Sequence, residues 1–215
     1  MKHFYIRTIN MLIGLLCYAL GIVLAINAKI GYAPWEVFHV GLANTTGMSI
    51  GIASIAAGIV IVIIVTLLGE KLGFGTIASM IITGLFIDVF FIINIIPIAE
   101  SFIIGIIMLI IGIITISIGS YFYIKSAFGV GPRDNLMVVL ARRTKLPVGV
   151  CRSIIELVVT IIGWLLGGMI GIGTVIFVIA IGFCVQATFK ILRFDVTAVK
   201  HETLYETYTA IKNRT

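Results

Sequence analysis

The sequence predicts an all-α polytopic membrane protein, with about six transmembrane helices built from two inverted three-helix repeats, each carrying a short half-helix. Three observations predict it. The 215 residues are 60% hydrophobic and 11% charged, with mean hydropathy +1.23. A soluble domain carries about 25% charged residues, so a chain this apolar cannot cover its own surface in water. Uncharged runs long enough to cross a bilayer recur along it. Finally, the chain repeats itself at an interval of 98 residues, which lays Pro34 on Pro132.

A spanning helix needs about 20 mostly apolar residues. Residues 8–28, 49–69 and 101–124 are uncharged, and 72–99 is interrupted only by Asp88. The first run follows basic residues, but no small-residue cleavage site leads into a soluble domain, so it reads as a retained helix. Residues 157–189 carry no charge and are too many for one helix; the glycine-rich stretch 167–173 divides them. The fifth span then begins near Pro147, a residue suited to a helix start, and the sixth runs over about 174–190. Residues 1–192 make a single membrane domain, and 193–215 a polar cytoplasmic tail in which Leu204, Tyr208 and Ile211 could share a weakly apolar helix face.

Six spans put both termini on one side. Lys2, Arg7, Lys71, Lys125, Arg142, Arg143, Lys145, Lys190, Arg193 and the tail lysines fall on that side, and Lys29, with Glu36 and Glu100, on the other. The positive-inside rule makes the basic side cytoplasmic. It also accounts for the formal charge of +6 without nucleic acid as a partner. Cys17, Cys151 and Cys184 lie singly in apolar stretches, which is no metal spacing.

Within the repeat (residues 9–92 and 107–190), eight glycines meet glycines without a gap, among them Gly14/Gly112, Gly21/Gly119, Gly31/Gly129 and Gly84/Gly182. With eleven glycines in each half, chance gives about one or two matches. Three spans per half is an odd number, so the second copy enters the membrane from the opposite side. Many secondary transporters share that plan, with the substrate near the midplane.

Each half carries a Gly-Pro-acid element after its first span: Gly31, Pro34 and Glu36, then Gly129, Pro132 and Asp134. Glycine permits a turn, proline fits the first helical position, and an acid opposes the positive end of the helix dipole. The helices that follow are too short to span. They read either as interfacial helices or as re-entrant half-helices whose N-termini face a substrate. A second paired element, Gly73-Phe74-Gly75-Thr76 and Gly171-Ile172-Gly173-Thr174, reads as a tight turn with a threonine N-cap. Trp35 and Trp164 read as membrane-boundary anchors, and His39 as an interfacial residue.

Charge inside a membrane is expensive. Asp88 lies deep in the third span, with Gln186 as its counterpart in the second half; Arg152 and Glu156 lie in the fifth. The spacing of Arg152 and Glu156 puts them on one helix face, where they can pair. Asp88, Arg152, Glu156, Gln186, Asp134 and Glu36 are therefore the candidate substrate-binding residues.

The stretches Gly31-Tyr-Ala-Pro-Trp-Glu36, Gly129-Val-Gly-Pro-Arg-Asp-Asn-Leu-Met137, Arg152-x-x-x-Glu156 and Gly163-Trp-Leu-Leu-Gly-Gly-x-x-Gly-Ile-Gly-Thr174 resemble the YczE/YyaS/YitT family of bacterial integral membrane proteins, over about residues 10–190. Glu36 stands where an aspartate is expected. The resemblance implies a bacterial inner-membrane protein, and some relatives are linked to regulation of secondary-metabolite production.

Two functions stand. The first is a small-molecule secondary transporter or permease, coupled to protons through Asp88 or Glu156. The second is a non-transporting regulatory or assembly protein that meets a cytoplasmic partner, or a second copy of itself, through residues 142–145 and the tail. No His/Cys cluster, Ser/His pairing or HExxH suggests an enzyme, and no cofactor is implied.

Overall fold

Apolar runs punctuated by glycine and proline fold here into helices. The computed structural model describes residues 2–48, 50–69, 73–129 and 131–199. Among these lie α1 (Lys2–Asn27), α2 (Pro34–Thr46), α3 (Ile50–Leu67), α4 (Phe74–Ile93), α5 (Phe102–Lys125), α6 (Pro132–Thr144), α7 (Val148–Leu165) and α8 (Ile172–Ile191), then a 3-10 turn at Val196–Ala198. No strand occurs among the described residues. Helices α1, α4, α5, α7 and α8 are long and apolar enough to cross a membrane, whereas the qualifying stretch of α3, Ile52–Leu67, is shorter. Leu204, Tyr208 and Ile211 lie outside the described residues.

The helices recur at the interval of the glycines. Shifted by 98 residues, α2 falls on α6, α3 on α7 and α4 on α8 at both ends, and α1 and α5 close together at Asn27 and Lys125. Turn geometry recurs too. Gly69 and Gly167 take φ values of 88° and 89°, and Gly31 and Gly129 take 137° and 126°. The copies part at the ends of the half-helices: α2 closes on Gly47 with φ 72°, α6 on Lys145 with φ 59°. That left-handed geometry is free for glycine and costs a lysine about 1 kcal/mol.

The centre is α1 packed along α5. A Cβ on Gly14 would meet the Gly119 carbonyl at 2.9 Å, and one on Gly21 the Gly112 carbonyl at 2.6 Å. These pairings run in opposite directions along the two helices, so α1 and α5 are antiparallel. Close backbone approach through small residues is how helices bind without a hydrophobic drive from lipid. Helix α4 then packs on α1 and α8 on α5, while α2 lies on α7 and α3 on α6.

Cross-links tie the halves at both ends. The Gly75 N–H donates to the Phe128 carbonyl and the Gly173 N–H to the Ile30 carbonyl, each at 2.8 Å. Thr76 is not the N-cap of α4, where Gly73 stands, nor is Thr174 that of α8. Gly171 holds that place, and Thr174, three residues on, accepts from the Gly171 N–H at 3.2 Å and donates to the Tyr32 carbonyl at 2.6 Å. The hydroxyl is spent on joining the loop after α1 to α8, a contact that local helix chemistry does not announce.

The folded unit also reaches past residue 192. Phe194 stacks edge-on against Tyr121 and Phe189 at 5.1 and 5.4 Å, Val196 is buried, and Arg142 donates to the Thr197 and Val199 carbonyls at 3.1 and 3.0 Å. Phe194, Val196 and the carbonyls of Thr197 and Val199 therefore tie the first residues after α8 to the bundle.

Candidate functional site

Both short helices begin inside the protein. Pro34 and Pro132 open them and are buried, so the first turns of α2 and α6 carry Glu36 and Asp134 into the interior. Helix α7 brings Arg152 and Glu156 on one face, both buried. The guanidiniums of Arg133 and Arg152 and the carboxylates of Glu36, Asp134 and Glu156 gather where α1, α2, α5, α6 and α7 meet.

Arg152 is the hub. Its Nη1 donates to Asp134 Oδ1, its Nε lies 2.7 Å from Glu156 Oε1, and its Nη2 donates to the Tyr18 hydroxyl at 3.2 Å. The Tyr123 hydroxyl donates to the other Asp134 oxygen, and the Tyr18 and Tyr123 rings meet edge to face at 6.0 Å. Asp134 is thus satisfied on both oxygens. Glu156 is not: neither of its oxygens has a hydrogen bond of good geometry among the described residues, although the side chain is fully buried.

Arg133 sits beside this hub. Its guanidinium covers the Trp35 ring at 4.7 Å, lies 3.9 Å from Glu36 Oε1 and approaches His39 Nε2 at 3.3 Å. The buried Trp35 Nε1 has no hydrogen-bond acceptor among the described residues. Tyr18, Trp35, Glu36, Arg133, Arg152 and Phe177 line a cavity of about 10 Å³, room for about one water.

The sequence-based candidates separate accordingly. Arg152, Glu156, Asp134 and Glu36 come together. Gln186 does not join them: its Oε1 accepts from the Gly149 N–H at 3.0 Å, and it lines a different cavity at the basic end of the bundle. Asp88 is on α4, with its side chain outside the described residues. Two expectations are corrected. Trp35 is a buried wall of the cluster, not a boundary anchor, and His39 is buried beside Arg133, not interfacial. Trp164 is exposed. Sequence reading missed Tyr18, Tyr123 and Arg133. A tyrosine in mid-span, away from the interfaces where tyrosines collect, was the available signal for Tyr18.

A family of unknown function, DUF6198, matches residues 5–190. The chain belongs to this family. Among similar proteins, an uncharacterised protein of Haemophilus influenzae is 34% identical, with 84% of each chain covered. The uncharacterised membrane protein YczE of Bacillus subtilis is 33% identical over 80% of each chain, and YyaS of the same organism 27% identical over 76% of this chain and 83% of its own. The resemblance to the YczE and YyaS proteins is thereby shown, and with the apolar helices it makes this a membrane protein. No solved structure matches the chain.

Proposed function

We propose that the protein is a small-molecule secondary transporter of the bacterial inner membrane, with six spans in two inverted repeats, both termini in the cytoplasm, and the Arg152 cluster as its substrate site. The observation that carries the reading is that cluster: five ionisable groups gathered at the first turns of two broken helices and on α7, three of which (Glu36, Arg133 and Arg152) line a space the size of one water. Secondary transporters place their sites at the midplane, where discontinuous helices of the two repeats meet. The antiparallel course of α1 and α5, with their glycines paired across it, supports the inverted relation.

The chemistry divides by residue. Glu36 and Asp134 sit at helix N-termini, whose partial positive charge favours an anion, and Asp134 is further held by Arg152 and Tyr123. Glu156 has neither a helix end nor a well-formed hydrogen bond. An unsatisfied buried carboxylate is costly, so Glu156 is the group at which a proton or a substrate donor would be gained and lost. Arg133 and Trp35 form the other wall, suited to a flat or anionic part of the substrate.

A regulatory role through the basic loop is the second reading. Arg142 weighs against it, since it is turned inward onto the Thr197 and Val199 carbonyls. The test is a thermal-shift screen of the purified protein against small metabolites over a range of pH, then uptake of any hit into proteoliposomes. A transporter gives a ligand that stabilises the wild type, loses its effect in Glu156→Gln, and is accumulated when a proton gradient is imposed. A folded protein that no metabolite stabilises would sink the reading.

A further inference from the structure

A second cavity, of about 760 Å³, opens at the basic end of the bundle, between the α6–α7 connection, the end of α8 and the segment that follows it. Four cations line it: Arg142, Lys145, Lys190 and Arg193. Arg142 is committed to the Thr197 and Val199 carbonyls. Asp195, the acid on the lining, is spent as the cap of the 3-10 turn, accepting from the Thr197 N–H and hydroxyl at 2.9 and 2.6 Å. Lys145, Lys190 and Arg193 have no ion-pair partner among the described residues.

Positive-inside bias accounts for cations near a cytoplasmic interface, but not for where these ones are. Shifted by 98 residues, Lys145 falls on Gly47 of the first half. Lys145 replaces a glycine in a left-handed cap. A charge meant for the interface alone could stand at neighbouring positions without that backbone cost. Arg193 also holds a left-handed conformation, φ 48°. The cavity wall behind the cations is apolar, with Phe189, Phe194 and Val196. Leu146 on its lining is exposed, as are Ile191 and Leu192, which lie in the chain between the lining residues Lys190 and Arg193, and large apolar residues along α7 and α8.

We propose that this cavity binds the headgroup of an anionic phospholipid, with the phosphate against Lys145, Lys190 and Arg193 and the acyl chains along these exposed apolar residues. Basic pockets between membrane helices take such headgroups, while a free phosphate would have no use for the apolar residues. The inference is independent of transport.

The experiment is native mass spectrometry and thermal shift on the full-length protein in mixed micelles containing either dioleoylphosphatidylglycerol or dioleoylphosphatidylcholine. The expected result is a retained phosphatidylglycerol adduct and a raised Tm, with no comparable effect of phosphatidylcholine. Lys145→Gly relieves the left-handed strain and so folds at least as well, yet should weaken phosphatidylglycerol binding about five-fold, and Lys145→Gly with Arg193→Gln about twenty-fold or more. Lys29→Gln, at the far end, should leave it unchanged. Equal binding of the two lipids, or unchanged binding in the double variant, would overturn the proposal. So would displacement of the lipid, with the same gain in Tm, by millimolar inorganic phosphate alone, which would mark a soluble-anion site.

Discussion

At the seam between α7 and α8, Gly149 backs onto Gly182 so closely that a Cβ on either would strike the other's backbone, and the Gly149 N–H donates to Gln186. The equivalent seam joins α3 and α4, where the partner of Gly182 is Gly84. A Cβ on Gly84 would meet no described atom within 4 Å. The two helices touch at Gly58, where a Cβ would lie 2.8 Å from the end of Met80, and otherwise pack little against each other among the described residues. In α4, 18% of the spanning window is buried, against 39% in α8. Glycines alone therefore do not close a seam. The second half adds Gln186 and Ser153 to its pair, where the first half has Asp88 and Ile55. If the protein is the inverted-repeat transporter proposed above, one seam closed and the other open is the asymmetry that alternating access would exchange.

The halves differ most at the cluster, and the largest expected effect lies there. Arg152 and Glu156 correspond to Ser54 and Gly58, so the first half has no copy of the pair. Arg152→Ala would leave Asp134 and Glu156 buried without their cation, a loss of about 3–5 kcal/mol, measured as thermal unfolding in detergent. Ser54→Ala, at the same place in the other half, removes one hydroxyl from a partly exposed side chain and should cost no more than about 0.5 kcal/mol. Equal losses would mean that the charge network is no more than packing.

The seams themselves give a smaller contrast. Gly182→Ala must push α7 and α8 apart and should cost about 1–3 kcal/mol, whereas Gly84→Ala enters open space and should change stability by no more than about 0.5 kcal/mol. A distance measured between spin labels on α3 and α4 would sharpen the point. Should the seams exchange during transport, ligand that closes α3 on α4 would turn Gly84→Ala into the damaging substitution.

How much of this was legible follows from range. The helices and their boundaries came from uncharged runs and repeated glycines, because hydrophobicity and turn geometry are local. The Arg152–Glu156 pair was legible from its spacing on one helix. Asp134 joining Arg152 was not, since the two sit on different helices 18 residues apart and meet only when α6 enters the bundle. Trp35 and His39 misled for the same reason: on a short helix they read as interfacial, but α2 packs on α7 and both rings meet the Arg133 of the other half. Gln186 misled in reverse. Symmetry paired it with Asp88, but a neighbouring glycine N–H claims its oxygen.

The smallest effect separates the segments that follow α4 and α8. After α4 the chain is pinned by Asn27, whose Nδ2 donates to the Ile96 carbonyl at 2.8 Å and whose carbonyl accepts from Ala99 at 2.9 Å. After α8 the pins are ionisable. Arg142 holds two carbonyls, and hydrogen bonds from Thr197 keep the Asp195 carboxyl below its usual range. Arg142→Ala should loosen residues 194–199 by about 1 kcal/mol, as a partly exposed charged donor would. Because the Asp195 pKa is lower in the folded state, its contribution is present above the ordinary aspartate value of about 3.9. That contribution fades as pH falls through the depressed folded value. Asp195 is exposed, so the effect is slight. Amide exchange at Thr197 should show it as a loss of protection in acid that Asp195→Asn abolishes. Ala99, held by groups that do not titrate, should show no such step, and an equal acid loss at both sites would mean that the whole bundle loosens rather than this one turn.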